Sequence, residues 1–299
     1  MNTIKEINMK YIHEEDIQET IKRVQQAKKF KHENIIKYYD SFMIEDKLYV
    51  VSEYTEGGNL LNLLLNFKKN GRILTDIQKQ KIFIQICKGL SYLHSKNFIH
   101  GNLMSNSIFL KENLEVKIGD LDLSKSIDGG KHNLGILNYY SPEQTLDDPT
   151  DKQMDIWAIG CILYEICLLK LAFKSKTVPN LFKNIQQGKY CQIPQKDMTG
   201  LTLLIPKLLI IDPKKRPTIE EILKEKILED DSYKLKEELT GANAIQNLQK
   251  EVKRSKSQIN FLEDENKKLK EEYSLTREKV TALEKEKRRL STEVWELKN

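Results

Sequence analysis

The chain has 299 residues, 39% of them hydrophobic, with 49 Lys+Arg against 44 Asp+Glu. That is ample apolar material for one or two domains, and a net charge of +5 with both signs interspersed lacks the basic bias of a nucleic-acid binder. The most apolar stretch, Ala158 to Phe173, is broken by Glu165 and Lys170, and the opening MNTIKEINMK has no apolar signal core, so a soluble, cytoplasmic protein without membrane or nucleic-acid partners is expected. Cys87, Cys161, Cys167 and Cys191 have no CxxC or metal-ligand spacing and read as buried thiols of a reducing compartment.

In chain order, Glu14 to Phe30 carries Ile17, Ile21 and Val24 as a helical stripe. Ile35–Phe42 and Leu48–Tyr54 are β-branched and aromatic, separated by the turn Glu45-Asp-Lys47, and predict paired strands. The first glycine is Gly57, so no glycine-rich phosphate loop precedes it, and no P-loop pattern follows. Thr75 to His94 predicts a helix opened by a Thr-Asp cap, and Asp155 to Leu171, apolar nearly all round, a buried central helix. Strands first and helices after give an α+β class.

Composition shifts near residue 232: all seven prolines lie between Pro142 and Pro217, and the Lys/Glu-rich remainder favours a long helix. With Ile245 at heptad position a, that position continues through Val252, Ile259, Asn266, Tyr273, Val280, Lys287 and Val294, while Leu248, Leu262, Leu269, Leu283, Leu290 and Leu297 fall at d. β-Branched a and leucine d residues favour a parallel two-stranded coiled coil, and Asn266 would fix its register. In a parallel homodimer Glu251 meets Lys256, Glu265 meets Lys270 and Glu272 meets Arg277. Self-association through residues 245–299 is therefore expected, although Lys287 and Ser255 weaken a homotypic seam and leave a different partner helix open.

Five segments in order resemble a protein kinase domain. Ile99-His-Gly-Asn-Leu103 resembles the catalytic-loop motif HRDL, and Val116-Lys-Ile-Gly-Asp-Leu-Asp-Leu123 the strand running into DFG. Tyr139-Tyr-Ser-Pro-Glu143 resembles APE, Asp155-Ile-Trp-Ala-Ile-Gly160 the buried helix after it, and Asp212-Pro-Lys-Lys-Arg-Pro-Thr218 the closing arginine motif. Within kinases the chain is similar to the NIMA-related (NEK) serine/threonine family, through Lys5–Met9, His32–Phe42, Glu53–Gly58 and Pro217–Ile222. The resemblance implies a two-lobed kinase fold over residues 1 to about 228: a small lobe at 1–57 lacking its first two strands, a mainly helical large lobe at 58–232, then linker and coiled coil at 233–299.

The resemblance also assigns roles. Lys5 stands at the strand lysine, Ser52, Glu53, Thr55 and Asn59 line the nucleotide cleft, and Asp120 and Ser107 occupy the Mg²⁺-ligand positions. The general-base position holds Asn102, which cannot take up a proton, and the neighbouring lysine position holds Met104; general-base contributions reach ~10²–10⁴-fold. Counting back from His32, the helix glutamate that would pair with Lys5 is Arg23, expected to repel it, unless the alignment slips to Glu19. Asn106 should point away from the cleft, Asp122 beside Asp120 reads as a solvated turn more than a metal ligand, and His100 as a core residue. The loop-arginine position is Gly101, and no Ser or Thr lies between Ile127 and Tyr140, so a phosphate switch is not expected. Asp155 and the pair Glu143–Arg216 should still brace the fold.

Scaffold kept and catalytic groups lost is the pattern of a pseudokinase acting as a dimeric docking protein that requires no cofactor. An atypical active kinase using ATP and Mg²⁺, and a coiled-coil structural protein, are the alternatives. The resemblance implies cytoskeletal, microtubule or ciliary partners.

Overall fold

The computed structural model describes residues 2–10, 13–121, 134–198, 200–229 and the single position 267. Contacts divide the chain into two units, Met1–Asp230 and Asp231–Asn299. Apart from position 267, the coiled coil expected at 245–299 lies outside the described residues, as does Asp122.

The first unit opens with a three-stranded antiparallel sheet of order β1-β3-β2, built from β1 (Asn2–Asn8), β2 (Tyr38–Ile44) and β3 (Lys47–Glu53). Register places Lys5 opposite Val50 and Phe42 opposite Tyr49, whose rings stack 5.4 Å apart. Helix α1 (Glu14–Ala27) packs on this sheet through Thr20, Val24 and Ala27. It stops three residues earlier than its apolar stripe predicted. Phe30 leaves the helix to meet the rings of Tyr92 and Phe98 edge-on at 5.9 and 5.1 Å, a tertiary contact that periodicity does not encode.

The strand expected from Ile35 also begins later. Ile35 bridges Ile118, and the amide of Ile36 donates to the carbonyl of Ile118 at 2.9 Å. Those two apolar residues stitch the small lobe to the large one instead of extending β2.

The large lobe is helical, with α2 (Leu60–Lys69), α3 (Asp76–Ser95), a two-stranded ladder of β4 (Ile108–Leu110) and β5 (Val116–Ile118), and short turns α4 (Leu134–Leu137) and α5 (Pro142–Thr145). After these come α6 (Gln153–Leu168), α7 (Val178–Gln186), α8 (Ile205–Leu208), α9 (Ile219–Leu223) and α10 (Lys226–Glu229). Thr75 begins α3 as foreseen: its hydroxyl accepts from the Gln78 amide, and the Gln78 side chain accepts from the Thr75 amide, a reciprocal cap. The central helix α6 is buried from Met154 to Ile166 and ends where Leu169 turns left-handed, at φ 53°. Cys87 and Cys161 are buried, but Cys167 is half-buried and Cys191 exposed, so the expectation of four buried thiols holds for only the first two. Among the described residues no helix is long and apolar enough to cross a membrane.

One ion pair ties these helices together. Arg216 donates to both carboxylate oxygens of Glu143 at 2.7 and 2.8 Å, and to the carbonyls of Ile210, Gln153 and Ile211. Its guanidinium lies 5.0 Å from the Trp157 ring centre. Burial alone would raise the Glu143 carboxyl; the Arg216 bonds outweigh it and hold the group below its ordinary value. A lowered carboxylate contributes stability above its unfolded value and loses it as pH falls through the folded one. Glu143→Ala or Arg216→Ala should therefore cost ~3–5 kcal/mol at neutral pH, read by denaturant unfolding. The Glu143→Ala deficit should shrink as the solution is acidified below about pH 4.

Candidate functional site

Between the sheet and the large lobe lies a cleft of about 330 Å³. Its roof comes from β1 and β3, because the alternation of those strands brings Thr3, Lys5, Val50 and Ser52 to it. Its floor is Phe109 of β4, with Gly119 and Asp120 just after β5. Gly119 is required there: a Cβ would lie 2.6 Å from the Phe109 ring and 3.0 Å from Ile36.

Lys5 and Asp120 meet in this cleft. The Lys5 ammonium donates to Asp120 Oδ1 at 2.7 Å, both side chains being partly exposed. Asp120 sits at φ 56°, a left-handed conformation that aspartate tolerates better than most residues.

Arg23 does not act as the repelling neighbour of Lys5 that the sequence suggested. Its guanidinium turns to the large lobe and donates to the carbonyls of Leu121 at 3.1 Å, Ile99 at 3.2 and 3.3 Å, and His100 at 2.8 Å, while lying over the Phe98 ring. The acceptors are backbone atoms, which a side-chain count from His32 cannot see. Glu19, the alternative partner for Lys5, is exposed.

The other cleft positions are placed as follows. Ser52 and Thr55 line the cavity, Thr55 from a buried position. Glu53 also reaches it, yet its carboxylate is held by Lys111 at 2.5 Å, by the Lys37 amide at 3.2 Å and by Lys117 at 3.6 Å. These contacts outweigh the effect of burial and keep Glu53 below its usual value. Asn59 caps α2: its Oδ1 accepts from the Asn62 amide at 2.9 Å.

The catalytic loop is braced from below. Asp155 accepts from the amides of His100 and Gly101 and meets His94 Nε2, each at 2.9 Å. Gly101 stands at φ +80°, where a side chain would be strained. His100 is buried, and its Nε2 meets the Gly119 carbonyl at 2.9 Å, a core placement. Burial lowers the His100 imidazole below its ordinary value, although Asp155 opposes that.

Ser107 turns its hydroxyl onto the neighbouring backbone. Its hydroxyl donates to the Met104 carbonyl at 2.8 Å and accepts from the Met104 amide at 3.0 Å, closing a tight turn upon itself. Asp120 Oδ1 lies on Lys5, so both metal-ligand positions read from the sequence make contacts within the protein. Among the described residues no group of three or more His, Cys, Asp or Glu is placed to hold a metal. Asn102 is half-buried at the proton-acceptor position.

Met104 and Asn106 belong elsewhere. Both line a separate, mainly apolar groove of about 380 Å³ between α2 and α6, with Leu64, Ile136 and Leu171. At its base the buried Glu165 carboxylate accepts from the hydroxyls of Ser105 and Tyr139. Nothing in the spacing of these three residues announces that cluster.

Comparison with known proteins agrees with this architecture. A family profile described as a protein kinase domain matches residues 1–228. The chain is 33% identical over 228 residues to "Probable serine/threonine-protein kinase nek3" of Dictyostelium discoideum, covering 74% of this chain and 20% of that protein. It is 33% identical over 224 residues to mouse "Serine/threonine-protein kinase Nek1", covering 74% and 18%, and 32% identical over 232 residues to human "Serine/threonine-protein kinase Nek5", covering 76% and 32%. The match thus spans a third or less of each relative's length.

The groove also yields a pH test. Burial raises the Glu165 carboxyl above its ordinary value, against the bonds from Ser105 and Tyr139. A raised carboxyl costs stability as pH rises through its folded value. Glu165→Gln keeps an accepting oxygen, so its melting temperature relative to wild type should increase from about pH 5 to about pH 8. Thermal unfolding across that range checks it.

Proposed function

Since the chain belongs to the protein kinase family, and the relatives named above are serine/threonine-protein kinases of the Nek type, we propose that it is a Nek-like pseudokinase, a dimeric docking scaffold that does not transfer phosphate. The observation that carries this reading is the state of the catalytic loop. Asn102 replaces the proton acceptor, and the Ser107 hydroxyl is spent on the Met104 backbone. Phosphoryl transfer depends on positioning and charge stabilisation, and both are weakened at one place. The brace of Asp155 and the Glu143–Arg216 pair meanwhile keep the large lobe available as a surface.

The tail at 245–299 supplies the dimer in this proposal, as a parallel coiled coil. Kinship with Nek-type kinases favours cytoplasmic partners at the cytoskeleton or a cilium. A second reading, a weakly active serine/threonine kinase, draws on one observation: Lys5 and Asp120 are both kept and face each other at 2.7 Å. Effects of grouped catalytic residues are not additive, so several losses need not multiply.

Thermal unfolding with and without ATP·Mg²⁺, followed by a phosphotransfer assay, separates the two. The scaffold reading expects no turnover above that of Asp120→Asn. Ligand at ~100 times its Kd would add ~2.7 kcal/mol, about 5–10 °C here. A shift of that size lost in Lys5→Ala and Asp120→Asn, together with turnover, would overturn the reading. Light scattering on the full chain should give twice the chain mass, reverting to monomer in a Leu262→Pro, Leu283→Pro double variant.

A further inference from the structure

The geometry points to Arg23 as a permanent lock between the two lobes: a positioning residue that binds α1 to the catalytic loop and to the residue after Asp120, with no ligand or modification required. The inference does not depend on whether the chain turns over ATP.

Three observations carry it. First, the Arg23 guanidinium from the small lobe spans three carbonyls of the large lobe, those of Ile99, His100 and Leu121, at 2.8–3.3 Å. It rests on Phe98 at 4.5 Å. A planar fork of five donors can reach several acceptors at once; an ammonium on a flexible stem cannot match that pattern.

Second, the same peptide is held from its opposite side. The His100 carbonyl takes Arg23 while the His100 amide gives to Asp155 Oδ2 at 2.9 Å, and the Gly101 amide to Asp155 Oδ1 at 2.9 Å. A guanidinium and a carboxylate thus grip one short run of backbone from two lobes.

Third, Leu121 is fixed at both of its peptide atoms by the small lobe. Its carbonyl accepts from Arg23 at 3.1 Å, and its amide donates to the Tyr38 hydroxyl at 2.9 Å. Its side chain is fully buried. Asp120, one residue earlier, is therefore set in place from β2 and α1 together.

The nature of the acceptors makes the link constitutive. A helix held by a salt bridge to a catalytic lysine can be released when the lysine changes partner. Backbone carbonyls neither titrate nor take a modification, and Lys5 is already on Asp120. So α1, the segment Ile99–Gly101 and Leu121 form one unit that opens together or not at all.

Native-state hydrogen exchange on the full chain tests this. In the wild type, the α1 amides and those of His100, Gly101 and Leu121 should share one opening equilibrium and one denaturant slope. In Arg23→Gln, exchange at all of these sites should rise at least ~10-fold, equivalent to ~1.4 kcal/mol, while α6 stays protected. Arg23→Lys should not restore it. Wild-type α1 amides that open separately, with their own slope, would overturn the proposal even if the variants fail to fold. So would unchanged exchange in Arg23→Gln, a uniform rise across the whole chain, or full rescue by lysine.

Discussion

The carboxylate of Asp155 is the point on which the large lobe turns. It is 1% exposed near the start of α6, where an unpaired charge would be prohibitive. Burial alone would push its carboxyl up. The contact with His94, the nearby His100 and the Gly101 amide outweigh that and hold it below its ordinary value. In return, the backbone at His100 and Gly101 has only one place to be. Everything above it inherits that position: the His100 ring meeting the Gly119 carbonyl, the glycine packed on Phe109, and Asp120 at the edge of the cleft.

From this fixed floor the cleft is completed by groups that neutralise one another. Lys5 takes Asp120, Glu53 takes Lys111, and Arg23 takes backbone carbonyls. A phosphoryl-transfer site needs charges aimed at a ligand and left unspent until it arrives. Here the cleft's charged side chains meet partners within the protein, and the Ser107 hydroxyl bonds the Met104 backbone. The same bonds hold the side chains of the cleft in defined positions.

The motifs that depend on local spacing were legible: the Thr75 cap, the buried run of α6, and the residues Asn102, Met104 and Ser107 in the catalytic loop. Contacts that depend on where backbone atoms lie were not. Arg23 was located by counting, yet its direction was misread because carbonyl acceptors leave no trace in residue identity. Phe30 left its helix for two rings more than sixty positions away. Met104, which stands at the family's lysine position, also lines a separate apolar groove that its spacing does not announce. Asn59, read as a residue of the nucleotide cleft, also caps the start of α2, a bond that its place in the motif does not announce.

The sequence by itself determined the family, the order of the elements and which residue types stand at the motif positions. These follow from residue type and spacing, which survive without coordinates. Through the resemblance it also implied that Glu143, Asp155 and Arg216 would brace the lobe. Only the tertiary structure decided which charges meet. Coulombic and hydrogen-bond partners are chosen by distances of a few ångströms between segments far apart in the chain. That is why Lys5 rests on Asp120 and Arg23 joins the lobes: the fold puts those acceptors within reach.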